Sequence, residues 1–249
     1  FGIFAGFLVV FLLGFYDDLK WKHISTIKPL IKFALLLLCT LIPSVILFFG
    51  SIQFNFIPII ALSIFLTFAY IFVCINAVNY QDGMDGLAGG LAGISLVGFM
   101  VLSIATGNAL TMNISLIFLG GVSAFLVFNL PPAKIFMGDS GAYSLGYILA
   151  LLAMIFSKPY NIYSIVGPVF IIGLPIFDGV FTNIRRLVAG KSIFHGDRSH
   201  FYDKLLSRFQ RNRGSSYTHD KVGASGQNDF STKKALAICY GLQVALVLI

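Results

Sequence analysis

The 249 residues carry a formal charge of +7, yet only 11% of them are charged, 57% are hydrophobic and mean hydropathy is +0.90. Soluble domains hold roughly 25% charged residues, so a water-soluble fold is excluded. Nucleic-acid binding is not needed to explain the positive charge, because basic loops facing anionic lipid account for it.

A helix needs about 20 apolar residues to cross a bilayer. Eight such segments are expected, at about 1–15, 29–49, 56–77, 87–105, 111–129, 141–157, 162–182 and 234 to the end. Turn residues separate them: Gly50-Ser51, Thr106-Gly107-Asn108, Pro131-Pro132 and Lys158-Pro159-Tyr160-Asn161. No alternating barrel pattern is visible, and backbone facing lipid must be satisfied internally. The expectation is an all-α, polytopic transmembrane helix bundle forming one domain. Both ends read as cut within apolar runs, as in a fragment of a longer protein, and 208–232 reads as a polar cytoplasmic loop. Every Lys and Arg except Lys158 falls on one side of this topology, which the positive-inside rule assigns to the cytoplasm. Cys39, Cys74 and Cys239 lie within spans and show no disulfide or metal spacing.

All ten acidic residues are aspartates, at the cytoplasmic ends of spans or in cytoplasmic loops. A carboxylate beside hydrocarbon costs several kcal/mol unless paired or metal-bound. Asp17-Asp18 closes the first span, where the helix dipole disfavours negative charge. Asn76, Asn79, Asp82 and Asp85 recur every three residues up to Gly83 and Gly86, which favours a tight turn or half-helix converging on one pocket over a regular helix. Between two spans, Asn129 through Gly141 includes Phe136, an aromatic face for a nucleobase, and Asp139. Asp139 or Ser140 could cap the next helix, and that helix start could bind phosphate. His195, Arg198 and His200 form a candidate diphosphate clamp in the long cytoplasmic loop. Asp178 pairs with Arg185 or Arg186, or else belongs to the site. Short carboxylates gathered at one membrane surface suit a hard divalent cation and phosphates.

Phe15-Tyr16-Asp17-Asp18, Asn76 through Gly86, Phe136-Met137-Gly138-Asp139-Ser140-Gly141 and His195-Gly196-Asp197-Arg198 occur in an order similar to that of the polyprenyl-phosphate N-acetylhexosamine-1-phosphate transferases. These are the glycosyltransferase family 4 membrane enzymes, one branch of which is the phospho-N-acetylmuramoyl-pentapeptide transferase. The resemblance spans about 10–205. It implies a bacterial plasma-membrane enzyme that moves a sugar-1-phosphate from a UDP-sugar to undecaprenyl phosphate and releases UMP. Mg²⁺ would be required, with Mn²⁺ as substitute. Asp17 and Asp18 would be the essential acidic pair and Asp139 the metal ligand, with the pair as further ligands. Asn76, Asn79, Asp82 and Asp85 would line the nucleotide-sugar site, Asn129 and Phe136 would lie near uridine, and Lys32 would meet phosphate. A homodimer is compatible with this class.

Two departures matter. The N-terminal helices and the Pro/Arg/Gly-Gly motif that family members carry first are missing from these residues, as expected of a fragment. After His200 the chain reads Phe201-Tyr202-Asp203 where many members continue with histidines, which favours a simple UDP-N-acetylhexosamine donor over the muramoyl pentapeptide. The rival readings are an ion-coupled transporter, which would place its carboxylates near the bilayer midplane, and a structural scaffold.

Overall fold

The computed structural model describes residues 2–20, 29–50, 52, 60–157, 162–190, 200–211 and 230–249. Among these there are ten helices and no strand: α1 (Gly2–Lys20), α2 (Pro29–Phe49), α3 (Ile60–Gln81), α4 (Leu87–Thr106), α5 (Ala109–Asn129), α6 (Gly138–Phe156), α7 (Ile162–Ile172), α8 (Leu174–Val188), α9 (Phe201–Arg211) and α10 (Phe230–Val247). Among the described residues all eight expected apolar segments are helical apart from a break at Gly173, but they do not make eight full spans. Five helices (α1, α3, α4, α5 and α6) are long and apolar enough to cross a membrane, and α7 with α8 would make a sixth. That pair is bent by 89° at Gly173. Gly173 takes a positive φ and Pro175 follows in the first turn of α8, so one straight helix cannot run through. Both margins of the expected loop 208–232 are helical, and 212–229 lies outside the described residues. This is a multi-pass, all-α membrane protein.

The helix α6 is the axis of the bundle, with 78% of its span window buried, against 17% for the peripheral α5. It packs on α1, α3, α4 and α7. In lipid the attraction between helices comes from close packing, and small residues at crossings allow it. A Cβ on Gly14 of α1 would lie 2.5 Å from the Ser140 Cα, and one on Gly146 would lie 2.5 Å from the Ile75 Cα of α3. The backbones of α1 and α3 therefore rest directly on α6. Around this contact Ile71, Cys74, Ile75, Leu96, Phe99, Tyr147 and Leu149 form the main core. A second cluster, made by Met84, Leu87, Leu91, Tyr202, Leu236 and Cys239, sits beneath the 82–86 turn. Thus α4, α9 and α10 support from below the turn that carries Asp82 and Asp85. Cys74 and Cys239 are buried free thiols.

Candidate active site

Because Gly14 lets α1 lie against α6, the last turn of α1 delivers Asp18 to the start of α6. The Asp139 and Ser140 amides donate to the two oxygens of Asp18 at 2.9 and 3.0 Å. No side chain of α6's own N-cap residue, Met137, performs this role. Asp18 is therefore the cap, supplied from another helix. This corrects the expectation that Asp139 or Ser140 would cap α6, and it occupies two of the helix-start amides expected to attract a phosphate. It also explains why two aspartates are tolerated at the end of α1: the positive pole of α6 faces them. Gly138 adopts φ +66°, and a Cβ there would come within 2.8 Å of an Asp18 oxygen, so the residue must be glycine on both counts.

Asp139 occupies the first turn of α6 and accepts the Asn79 amide of α3 at 2.6 Å. Asp17 is buried and accepts the Tyr143 hydroxyl at 3.2 Å. All three carboxylates lie within electrostatic reach of that hydroxyl. Tyr143 went unread in the sequence, although it stands one turn after Asp139 on the same helix face.

The helix α3 runs unbroken to Gln81, so Asn76 and Asn79 are helical and the four-residue convergence expected from their spacing does not form. No glycine or proline falls between the start of α3 and Gly83. Asn76 donates to the Phe72 carbonyl of its own helix at 2.8 Å, while Asn79 reaches the acidic group. Asp82 and Asp85 follow in the turn. Asp85 accepts the Ala133 amide at 3.0 Å and ties that turn to the 130–137 loop. Asn129 fastens the same join: its oxygen takes the Gly86 amide at 3.0 Å and its nitrogen donates to the Ile135 carbonyl at 2.8 Å. Phe136, at the tip of this loop, is 69% exposed.

A second polar cluster lies beside the first. Asp178, on the buried face of α8, accepts the Gln81 amide at 3.0 Å, the Phe201 amide at 2.9 Å and His200 Nδ1 at 3.1 Å. Its partners are these, not the arginines one to two turns on. His200 is 4% exposed and lies between the rings of Tyr80 and Tyr202, with centroids 5.2 and 5.7 Å away. It thus serves as a buried connector of α3, α8 and α9 rather than an open diphosphate ligand. His195 and Arg198 lie outside the described residues. Lys32 falls in the first turn of α2, and its side chain is likewise outside those described. Gln81 stands outside the three-residue spacing of Asn76, Asn79, Asp82 and Asp85, and its partner Asp178 lies 97 residues away, so no local signal marks it.

Among the described residues, no three His, Cys, Asp or Glu side chains form a closed metal cage. The donor set still suits Mg²⁺, which usually takes one or two carboxylates and completes its shell with water and substrate phosphate. Asp17 and Asp139 fit that pattern better than Asp18, both of whose oxygens hold backbone amides.

Fold and site together define a polytopic helical membrane protein whose carboxylates are drawn from separate helices to one end of the bundle. Residues 1–157, which include all of α1 to α6, match the family described as Glycosyl transferase family 4, and the chain belongs to that family. It is 34% identical over 215 residues to the probable undecaprenyl-phosphate N-acetylglucosaminyl 1-phosphate transferase of Bacillus subtilis (strain 168), covering 82% of this chain and 58% of that one. It is 38% identical over 177 residues to the phospho-N-acetylmuramoyl-pentapeptide-transferase of Dictyoglomus turgidum, covering 68% and 57%. With the decaprenyl-phosphate N-acetylglucosaminephosphotransferase of Mycobacterium leprae it shares 32% over 164 residues, covering 58% and 41%. The chain spans about half the length of the curated relatives it matches.

Proposed function

We propose that the protein transfers N-acetylhexosamine-1-phosphate from a UDP-sugar to a polyprenyl phosphate at the cytoplasmic face of a bacterial plasma membrane, releasing UMP. The observation that carries this reading is the hydrogen-bonded group of Asp18, Asp139 and Asn79, with Asp17 held beside it by Tyr143, drawn from three helices to one end of the bundle. That end suits a reaction in which a lipid headgroup must meet a water-soluble nucleotide. It suits a transporter less well, since the carboxylates sit at helix ends and not at mid-span.

The step is one displacement: an acceptor phosphate oxygen attacks the sugar-linked phosphorus, and the bond from that phosphorus to UMP breaks. Such transfer asks mainly for positioning and charge neutralisation. Asp18 fixes the first turn of α6, and Asn79 fixes the carboxylate of Asp139 on that turn. Buried Asp17 is oriented by Tyr143. The acceptor phosphate is largely ionised at neutral pH, so direct attack needs no covalent enzyme intermediate. A divalent ion held by Asp139 and Asp17 would supply the positive charge that lets phosphates approach these carboxylates. Phe136 offers its exposed face to the base, beside Asp82 and Asp85 in the adjoining turn.

The donor is assigned as a UDP-N-acetylhexosamine without the muramoyl peptide. The Bacillus subtilis relative supports this, as does the stretch Phe201-Tyr202-Asp203, which stands where the resemblance leads one to expect further histidines. The Dictyoglomus turgidum relative keeps the peptidoglycan precursor as the second reading. Membranes containing the full-length protein should be assayed with radiolabelled UDP-N-acetylglucosamine, UDP-N-acetylgalactosamine and UDP-muramoyl-pentapeptide against undecaprenyl phosphate. Fastest turnover of the muramoyl donor would overturn the donor assignment. Absence of lipid-linked product from all three would overturn the reaction.

A further inference from the structure

Gln243 is a fully buried polar side chain in the C-terminal third of α10. Its oxygen accepts the Leu174 amide at 2.8 Å. Its nitrogen faces the carbonyls of Ile171 and Ile172 at 2.7 and 3.3 Å and the Ser95 hydroxyl at 3.0 Å. Ile171, Ile172 and Leu174 flank Gly173, where the path bends by 89° between α7 and α8. A break within hydrocarbon leaves amides and carbonyls without helical partners, at a cost of several kcal/mol each. The Gln243 amide replaces those lost bonds, with one acceptor and one pair of donors set against both sides of the bend. Glycine at 173 makes room for it, since a Cβ there would lie 2.8 Å from the Gln243 oxygen.

The bend decides where α8 goes. It brings Asp178 to Gln81 and His200, and Gln81 lies two residues beyond Asn79, which holds Asp139. One turn before Gln243, the Tyr240 hydroxyl donates to the Gly86 carbonyl and steadies the 82–86 turn. Two polar side chains of α10, Tyr240 and Gln243, thus hold the two backbone breaks that flank the acidic group.

We propose that Gln243 is a positioning residue for the transfer reaction, setting the angle of α8 and through Asp178 and Gln81 the placement of Asn79 and Asp139. This rests on the transferase reading above, so the test has one arm independent of activity. Spin labels at Val188 on α8 and Ile104 on α4, both exposed, report the angle. Wild-type protein should give one narrow distance distribution, and Gln243→Leu a shifted or broadened one. Because misplacement by about 1 Å can cost about 100-fold in rate, kcat of Gln243→Leu should fall roughly 10- to 100-fold. Neither KM should move much, as Gln243 touches neither substrate. Gln243→Glu keeps an acceptor and, protonated, one donor; it should recover most of kcat and the narrow distribution. Ser103→Ala loses buried hydrogen bonds in the α4–α5 seam, away from the site. It should lower stability while leaving kcat per folded molecule unchanged. An unmoved label distance in Gln243→Leu, no recovery in Gln243→Glu, or an equal kcat loss in Ser103→Ala would each overturn the proposal. A wild-type enzyme that transfers nothing would overturn the reaction, and with it this role for Gln243, while the labels would still decide whether Gln243 sets the angle.

Discussion

Asp17, Asp18 and Asp139 are alike as residues and differ in what they hold. Asp139 accepts one amide from Asn79 and is not the helix cap. Asp139→Asn keeps an acceptor for that bond but removes the negative charge a cation needs. Metal charge stabilisation is worth several kcal/mol, so turnover should drop by about 100- to 1000-fold or more. The thermal midpoint should stay near wild type. Retained activity would place the metal elsewhere. Asp18 instead satisfies two backbone amides. Asp18→Ala should lose about 1–2 kcal/mol of stability, as a lost cap does. Asp18→Asn, which keeps one acceptor, should lose less and retain more activity than Asp139→Asn; the reverse ranking in a turnover assay would show that Asp18 acts chemically. The carboxylates and Asn79 were legible in the sequence because charge and amide beside hydrocarbon are costly. Their division of labour was not, since the cap joins positions 121 residues apart. His200 was legible only as a polar loop residue, because the rings that enclose it come from α3 and α9.

At the level of elements, the site is as exact as the helix crossings that deliver it. A side chain at Gly146 would strike the α3 backbone, whereas Gly120 on α5 has nothing within 4 Å of a Cβ. Gly146→Leu should therefore cost about 1–3 kcal/mol by overpacking and separate Asn79 from Asp139, with activity lost alongside stability. Gly120→Leu should leave both unchanged. Equal thermal midpoints for the two variants would contradict the packing described. The spans α3 to α6 were readable from apolar run length and Gly/Pro punctuation. The bend at 173 was not: Gly173-Leu174-Pro175 carries a break signal, but it lies inside the run 162–182, which is long enough to read as one span. The helix α9 was passed over for the opposite reason. Phe201, Tyr202, Leu205, Leu206 and Phe209 mark one helical face, yet the polar stretch around them suggested a loop.

For the whole molecule, the ends of α1, α3 and α5 and the starts of α4, α6, α9 and α10 share one face, and the proposed function requires that face to be cytoplasmic. Lys204 is an exposed position on α9. Lys204→Cys should react with an impermeant maleimide only after cells are opened; labelling of intact cells would reverse the topology and move the site to the other side. All-α membrane architecture was legible from composition and run length, because about 20 apolar residues in succession have few other uses. The number of spans was not, because length in sequence does not tell a straight crossing from a bent pair.

The cap that Asp18 places on α6 has a consequence for biogenesis. During synthesis α1 enters the membrane well before Gly138 has been made, and for that interval its paired aspartates lack the helix pole that later steadies them. When α6 does emerge, its first turn stays uncapped until α1 packs against it. The acidic centre is therefore a product of assembly between an early and a late segment, and no stretch of nascent chain short of α6 can display it.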